Sequence, residues 1–487
     1  MKERQPVDLL VIGGGINGAG IARDAAGRGL SVTLVERGDL AGATSSSSSK
    51  LIHGGLRYLE QYEFRLVAES LAEREVLLRI AAHLVWPVRF VMPHVPELRP
   101  RWMIRVGLFL YDHLARRSLL PGSQAVRLDT PPYSDGLRPQ LRHGFLYSDC
   151  AVDDSRLVVA NALDARARGA RLLVRTELLR ARRATDRWQA ELSNGDSLHA
   201  RAVVNAAGPW VKQILNERLD QPSADEVRLV QGSHIVVPRR YRGEHAFILQ
   251  NDDRRVVFMI PFEERFTLIG TTDVPVQGDP AAACASEEEV AYLCRAASRY
   301  LAQALQPSDV VWRYAGVRPL HDDGSRNPSA VTRDYTLRLD EVGGQTPVLS
   351  VFGGKLTTYR RLAEHVMERL RPYFPQLKGP WTERAPLPGS DFTSREDARR
   401  EIFSRYRALP VAVVEGAFKR HGALAAEVLG DGITGEHYGA GLTERELRYF
   451  VEREWAGSAD DVLWRRSKAG LHLDARQQAR VAEAMGR

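Results

Sequence analysis

An α/β fold, with a parallel sheet crossed by helices, a mostly β second unit and a helical C-terminal unit, is what this 487-residue sequence predicts. Three observations carry it. At the N-terminus, the apolar run Val7 to Ile12 is followed by Gly13, Gly15 and Gly18 at GxGxxG spacing. Ala22 and Ala26 then recur at helical intervals, Gly29 breaks the helix, and Ser31 to Val35 form a second strand ending in Glu36. Between Val227 and Trp312, strand-like pieces such as His234 to Val237 and Arg255 to Ile260 dominate. Beyond the Pro-rich stretch Pro386 to Gly389, Ala, Glu, Leu and Arg prevail and β-branched runs are few, which marks a separate helical unit.

Each part of the first pattern has a physical task. Gly13 makes the tight turn, Gly15 lets the backbone approach a pyrophosphate, and Gly18 lets helix pack on strand. The free N–H groups of the helix end face the phosphates. Glu36 accepts both ribose hydroxyls, and its charge repels the extra phosphate of NADP. Strand, helix, second strand and terminal acid together define a Rossmann-like dinucleotide site. Gly430 to Gly435 repeats the glycine spacing, but a helix end precedes it and no strand with a terminal acid follows, so it reads as a loop. One dinucleotide site implies a tightly held cofactor, reoxidised by something other than a second bound NAD.

Composition sets the limits. The chain is 44% hydrophobic and 26% charged, ordinary globular material, and typical domain sizes give about two to four domains. Cys150, Cys284 and Cys294 form no CxxC pair, so neither a disulfide framework nor a metal site is indicated, and a reducing compartment fits. The first strand begins almost at Met1, which leaves no room for a signal peptide, and no apolar stretch reaches the roughly 18 residues of a spanning helix. The chain is expected in the cytosol or on the inner face of a membrane. A net charge of +7 suits an acidic partner. Nucleic acid is not expected: there is no RNA-binding signature, zinc module or cluster of aromatics, and the arginines are interspersed with Asp and Glu. Only seven lysines stand among the 68 basic residues, so Lys50 and Lys355, each beside a turn, suggest places where a compact ammonium is wanted.

The remaining elements follow in order. Thr44 to Lys50 is a hydroxyl-rich turn running into Leu51 to Tyr58 and then an amphipathic helix with Phe64, Val67, Leu71, Leu78 and Ala81 on its apolar stripe. Arg171 to Arg175, Trp188 to Leu192 and Ala202 to Val204 alternate around the turn Ser193 to Asp196, a β-meander that returns to the sheet at Asn205-Ala206-Ala207-Gly208. Pro347 to Phe352 leads into Gly353-Gly354-Lys355-Leu356-Thr357-Thr358 and then a helix to about Arg371, an arrangement that points a positive helix end at a bound group.

Read together, GGGINGAGIARDAAGRGLSVTLVERGDLAGATSSSSSKLIHGGLRYLE, NAAGPWV, GSHIVVP, GTTDV, GVRPL and SVFGGKLTTYR resemble the FAD-dependent glycerol-3-phosphate dehydrogenases, most of all the bacterial aerobic, membrane-associated type. The resemblance runs from about Val7 to Leu387 and, more weakly, through DDVLWRRSKAGL in the tail. It implies a Rossmann-like FAD-binding domain of the glutathione-reductase/D-amino-acid-oxidase type made of residues 1–85, 150–226 and 313–388. It further implies a substrate-binding, membrane-facing domain at 86–149 and 227–312, and a helical domain at 389–487. The implied activity is oxidation of sn-glycerol 3-phosphate to dihydroxyacetone phosphate by hydride transfer from C2 to flavin N5. The electrons then pass to ubiquinone, in a homodimer peripheral to the cytoplasmic face of the inner membrane. A related FAD-dependent enzyme acting on an amino or 2-hydroxy acid, or one using oxygen, stays open.

Carried over residue by residue, Gly13, Gly15, Gly18 and Glu36 hold the ADP half of FAD, with Ser46, Ser49 and Lys50 near the pyrophosphate or flavin. Further cofactor positions are Ile16, Asn17, Arg37, Thr44, Ser45, Leu51, His53, Gly54, Gly55, Ala207, Gly208, Trp210, Leu356 and Thr357. The Gly353-Gly354-Lys355 turn lies under the isoalloxazine, where the ammonium stabilises charge at N1/O2. Loss of hydride from C2 requires a base for the hydroxyl proton. His234, opening a strand after Gly232-Ser233, is the candidate and His53 its rival. Arg57 and Arg318 are the phosphate clamps, since guanidinium pairs with phosphate oxygens bidentately, and Tyr58 lines the pocket. Pro100 to Arg117 combines Trp102, Met103, Ile104, Val106, Leu108, Phe109 and Leu110 with flanking arginines, a segment suited either to a lipid interface or to a core helix.

Overall fold

The computed structural model describes residues 6–95, 97–116, 119–223, 225–253, 255–321, 334–343 and 345–486. Val7–Ile12 lies at the middle of an eight-stranded sheet, flanked by Val32–Glu36 on one side and Ser197–Asn205 on the other, both parallel to it. Arg171–Val174 extends one edge, Gln345–Phe352 and Thr336–Val342 the other, and the meander Leu178–Arg183 and Trp188–Leu192 folds back on Ser197–Asn205. Leu9, Leu10 and Val11 have no exposed surface, the double burial that makes parallel strands read as continuous apolar runs. One face is covered by the helices Ile16–Gly27, Asp154–Ala167 and Tyr359–Leu370, the other by side chains of the meander and of Val211 to Leu219.

A second, ten-stranded sheet is mostly antiparallel and runs from Val274–Pro275 through Val227–Pro238, Phe266–Gly270, Val256–Phe262, Ala246–Gln250, Val85–Pro93 and His143–Val152 to Leu51–Ile52. Helix Glu287–Ser298 packs on one of its faces, and Arg101–His113 on the other. Trp312–His321 belongs to this sheet, paired with Val227–Pro238 at ten register positions, and His143–Val152 pairs continuously with Val85–Pro93. The expected boundaries at 149/150 and 312/313 therefore differ from the strands: both fall on continuous ladders that no composition shift announces.

Two local expectations are corrected. His234 sits inside the twelve-residue strand Val227–Pro238 and does not open one, because Gly232 and Ser233 keep their ladder partners Gly316 and Ala315. Phe64 is 39% exposed, since the helix Phe64–Ile80 begins there, ahead of its buried stripe. The turn from Gly353 to Thr358 runs into the helix Tyr359–Leu370, as the sequence reads.

The C-terminal unit holds the helices Arg395–Arg405, Val411–His421, Glu444–Glu454 and Ala475–Met485 around two small apolar clusters, and Gly430 to Gly435 is the loop expected after Ala425–Leu429. It docks on the first unit through buried charge. Arg156, on helix Asp154–Ala167, forms a two-pronged pair with Glu454 and donates to the carbonyl of Arg420 at 3.1 Å. Arg466 donates to both carboxylate oxygens of Asp39, at 2.7 and 2.8 Å. Removing one partner of such a pair strands the other charge in a low-dielectric interior. Glu454→Ala is expected to cost about 3–5 kcal/mol, read as a lowered midpoint in urea unfolding; a wild-type midpoint would show that the pair contributes nothing to docking.

Candidate functional site

The glycine turn is built as its spacing demands. Gly13 has φ 110°, and a Cβ there would stand 2.5 Å from the carbonyl oxygen of Ala206; a Cβ on Gly18 would overlap the carbonyl of Gly13. Gly15 caps the helix without a side-chain acceptor. Ser45 Oγ accepts from the Ile16 N–H at 3.0 Å, and Asn17 Nδ2 donates to the carbonyl of Gly353 at 3.3 Å, tying the two glycine turns together. Asn17 Oδ1 is buried without a partner among the described residues. Glu36 accepts from the N–H groups of Gly14 (2.6 Å) and Gly38 (2.7 Å), and burial raises its carboxyl above the usual range.

A cleft of about 530 Å³ runs from Glu36, Arg37 and Trp210 to Gly353 and Gly354. Its walls include Gly13, Gly15, Ile16, Asn17, Thr44, Ser45, Ala207, Gly208 and Leu356. The Arg37 guanidinium stacks 4.1 Å over the Trp210 ring. A smaller chamber of about 190 Å³ opens off it through shared walls at Thr44, Ser47, Ser48, Gly316 and Gly354. Ser49, Leu51, His53, Tyr58, His234, Arg318, Lys355 and Thr357 line this chamber. The open helix end, the apposed glycine turns and the orphan Asn17 oxygen fit the dinucleotide cofactor that the sequence implies.

Other expected residues lie outside both cavities. Lys50 is buried, its Nζ 2.9 Å from both carboxylate oxygens of Asp154 and from the carbonyl of Ser46. Its positive φ of 56° turns the side chain under the serine loop, and burial lowers its pKa. Asp154 also accepts from Ser48 Oγ at 2.7 Å, so this pair shapes the loop rather than holding a phosphate. Ser46 Oγ donates to the carbonyl of Ala43 at 3.3 Å. Gly54 packs under Tyr111, and Gly55 starts the 3₁₀ turn Leu56–Gln61 that carries Arg57 and Tyr58. Arg57 reaches Asp273 at 3.8 Å.

Within the chamber, the His234 ring is 2% exposed and stacks on Tyr314 with centroids 4.9 Å apart at 13°. Its Nε2 lies 2.9 Å from Ser49 Oγ, and a Cβ on the facing Gly270 would overlap the ring. Burial, and then Arg318 and Lys50, push its pKa well below the ordinary histidine value. His53 is pushed down to about 4, by burial and then by Lys355 and Arg74. Both are neutral at pH 7 and able to accept a proton. Arg318 lies across Gly232, donating to Asp273 Oδ1 (2.7 Å), Thr271 Oγ1 (2.9 Å) and the carbonyl of Thr272 (3.3 Å). Lys355 Nζ stands 4.0 Å over the Tyr58 ring. Arg57 and Arg318 share the Asp273 carboxylate, and Lys355 adds a further cation on the chamber wall, which leaves a positive surplus suited to a dianion.

Sequence reasoning missed Ser47, Ser48, Thr271, Asp273 and Tyr314. The run of five serines gives composition no means of ranking them. Thr271, Asp273 and Tyr314 reach the site by the antiparallel pairing of Val227–Pro238 with Phe266–Gly270 and Trp312–His321, which leaves no mark on local spacing.

Comparison with known proteins agrees with this geometry. Residues 8–360 match the FAD dependent oxidoreductase family, and residues 380–487 match the C-terminal domain of alpha-glycerophosphate oxidase. The glycerol-3-phosphate dehydrogenase of Pseudomonas aeruginosa is 54% identical over 98% of this chain and 94% of its own length. The D-erythritol 1-phosphate dehydrogenase of Brucella abortus is 49% identical over 99% of this chain and 98% of its own. Among solved structures, the glycerol-3-phosphate dehydrogenase from Bacillus halodurans complexed with FAD superposes with a TM-score of 0.75 at 25% identity, covering 99% of this chain and 94% of that one.

The buried histidines make stability depend on pH. An unfolded histidine takes its proton near pH 6.5, whereas folded His53 does so only at about 4 and His234 also well below the ordinary value. Across that window the unfolded chain binds more protons, so stability falls as pH drops below about 6.5. Urea midpoints at pH 7.5, 6 and 5 should decline in that order, and His234→Asn should flatten the decline. An unchanged slope in the variant would show that His234 does not contribute.

Proposed function

The chain belongs to the FAD-dependent oxidoreductase family, and from that membership we propose that it oxidises sn-glycerol 3-phosphate to dihydroxyacetone phosphate and passes the electrons to ubiquinone. The observation that carries the reading is a small cationic chamber opening directly off the cofactor cleft, with a neutral histidine and an ammonium on its walls. A bound FAD would supply the two-electron acceptor for oxidation at C2 of the substrate. Gly13, Gly15, Ile16, Asn17 and Glu36 would hold its ADP half, and Gly353 and Gly354 would lie at its flavin end. Arg318, with Arg57 at the rim, binds the phosphate dianion, and Asp273 keeps both guanidinium groups in place. His234 Nε2, at the Ser49 edge of its ring, accepts the C2 hydroxyl proton. Lys355 supplies a fixed positive charge beside the glycine turn, where negative charge develops as C2 is oxidised.

A second substrate, D-erythritol 1-phosphate, is raised by the 49% identical relative named for it. Both substrates present a phosphate to Arg318, so the chemistry at the base and the ammonium is the same. An anaerobic absorbance spectrum decides between them. Glycerol 3-phosphate is expected to bleach the flavin band; bleaching by D-erythritol 1-phosphate alone would replace the substrate. Lys355→Met should retain FAD yet slow bleaching about 10²–10³-fold. Arg318→Ala should raise KM at least about 30-fold, the loss expected for truncating one side of a charged pair. An unaltered rate or constant removes that residue from its role.

The same reading places the chain on the inner membrane surface. Helix Arg101–His113 seats Ile104, Leu108 and Tyr111 on the second sheet and turns Trp102, Met103, Val106 and Phe109 outward, at 68, 45, 52 and 59% exposure. Arg101, Arg105 and Arg116 are exposed beside them, and Arg117 lies outside the described residues. Apolar bulk within a ring of arginine suits the headgroup boundary of an anionic leaflet. Among the described residues, no helix is long and apolar enough to cross a membrane. Changing both Phe109 and Leu110 to Ser should weaken flotation with anionic vesicles; full flotation of that variant would exclude this helix as the anchor.

A further inference from the structure

Four aromatic rings link the C-terminal unit to the chamber. Trp464 stacks on Trp312 with centroids 4.7 Å apart at 20°, Trp312 meets Tyr314 at 4.8 Å, and Tyr314 stacks on His234 at 4.9 Å. Trp312 and Tyr314 alternate on one strand and so share a face; opposite them stand Val236 and His234. Tyr314 is fixed at its far end, its hydroxyl donating to the carbonyl of Ser48 at 2.8 Å.

The outer end of the row is anchored firmly. Trp464 lies in the helical turn Asp461–Arg466. The carboxylate of Asp461 accepts from the N–H groups of Gly457 (2.7 Å) and Ser458 (2.9 Å) and pairs with Arg175 and Arg465. Arg465 and Arg466 both pair with Asp39, from the loop beyond Glu36. Trp464 therefore sits in a turn bolted to the first unit while its indole packs on the second sheet.

The inner end needs such an anchor. Among the described residues, His234 Nε2 has one neighbour at hydrogen-bond distance, Ser49 Oγ, and Nδ1 is buried with no hydrogen-bond partner. One hydrogen bond fixes a point on an imidazole ring, not its plane. Gly270 lies so close to the ring that a Cβ there would overlap it, and Tyr314 stacks on the ring face, so the plane is held between strand backbone and the Tyr314 ring.

We propose that the C-terminal unit sets the orientation of the catalytic histidine through this stack, with Trp464 as a positioning residue acting through Trp312 and Tyr314. The inference rests on His234 being the base, as argued above. It gives the helical unit a part in the reaction: substrate binding and cofactor retention do not depend on the stack, and proton removal does.

The test is anaerobic stopped-flow reduction of the FAD-loaded enzyme by glycerol 3-phosphate. Trp464→Leu keeps apolar bulk and loses the ring plane; it should reduce about 10- to 100-fold more slowly, with KM and FAD content unchanged. Trp464→Phe should restore most of the rate. In a His234→Asn background, Trp464→Leu should cost less than about twofold, because coupled residues are not additive. Lys419→Ala removes a different contact between the same units, the 2.8 Å pair with Glu263, and should leave the rate at the wild-type value. A wild-type rate for Trp464→Leu, an additive double variant, or an equal loss in Lys419→Ala each overturns the proposal. If Trp464→Leu does not hold FAD, Trp312→Leu replaces it and is judged by the same outcomes. A His234→Asn enzyme as fast as wild type would sink the assignment of the base, whereas a slow His234→Asn beside a fast Trp464→Leu sinks only the stack.

Discussion

The parallel pairing of Val7–Ile12 with Ser197–Asn205, and of that strand with Gln345–Phe352, is the constraint on which the site depends. The register sets Ile12 against Asn205 and Asn205 against Ser350, so three chain turns leave the sheet at one carboxyl edge. Gly13, Ala206 and Gly353 are the residues that leave it. The contact of Gly13 with the carbonyl of Ala206, and of Asn17 with that of Gly353, follows from this coincidence of strand ends. Crevices at the carboxyl ends of parallel strands are where α/β sheets bind ligands.

The second sheet meets that edge at an angle set by its own ladders. Strand Trp312–His321 brings Gly316 and Arg318 to the chamber because it pairs with Val227–Pro238, which brings Gly232 and His234. Between the sheets the serine loop is held from below by Lys50 and Asp154, both buried. Such a pair is weak evidence for net stability, since desolvation offsets most of its attraction. Its service is conformational: it leaves one arrangement for Ser47 and Ser48, which wall both cavities, and for Ser49, which lines the chamber.

What the sequence made legible was local. The βαβ unit, the second glycine turn, the helical tail and the rejection of Gly430 to Gly435 all rest on residues within one or two elements of each other. The domain borders were not legible, because the ladder of His143–Val152 with Val85–Pro93 crosses one of them without a change of composition. Lys50 shows the limit most clearly. Its rarity pointed to a compact ammonium beside the serine turn, and the anion that ammonium meets is Asp154, 104 positions away in the chain. Asp273 and Thr271 went unnamed for the same reason, since only strand pairing carries them to Arg318.

The charges that suit the chamber to a phosphate also govern its histidines. Arg318 is the largest charged influence depressing His234, and Lys355 holds the same place for His53. Burial is the larger cause for both, so each would lose only part of its depression if its cation were removed. On the proposed reading the cationic surplus would serve two ends, attracting a dianion and adding to the burial that keeps His234 unprotonated. A bound phosphate would offset this field and raise the proton affinity of His234. Recognition of a phosphate and readiness to take a proton would then be properties of one electrostatic arrangement within a chamber of about 190 Å³.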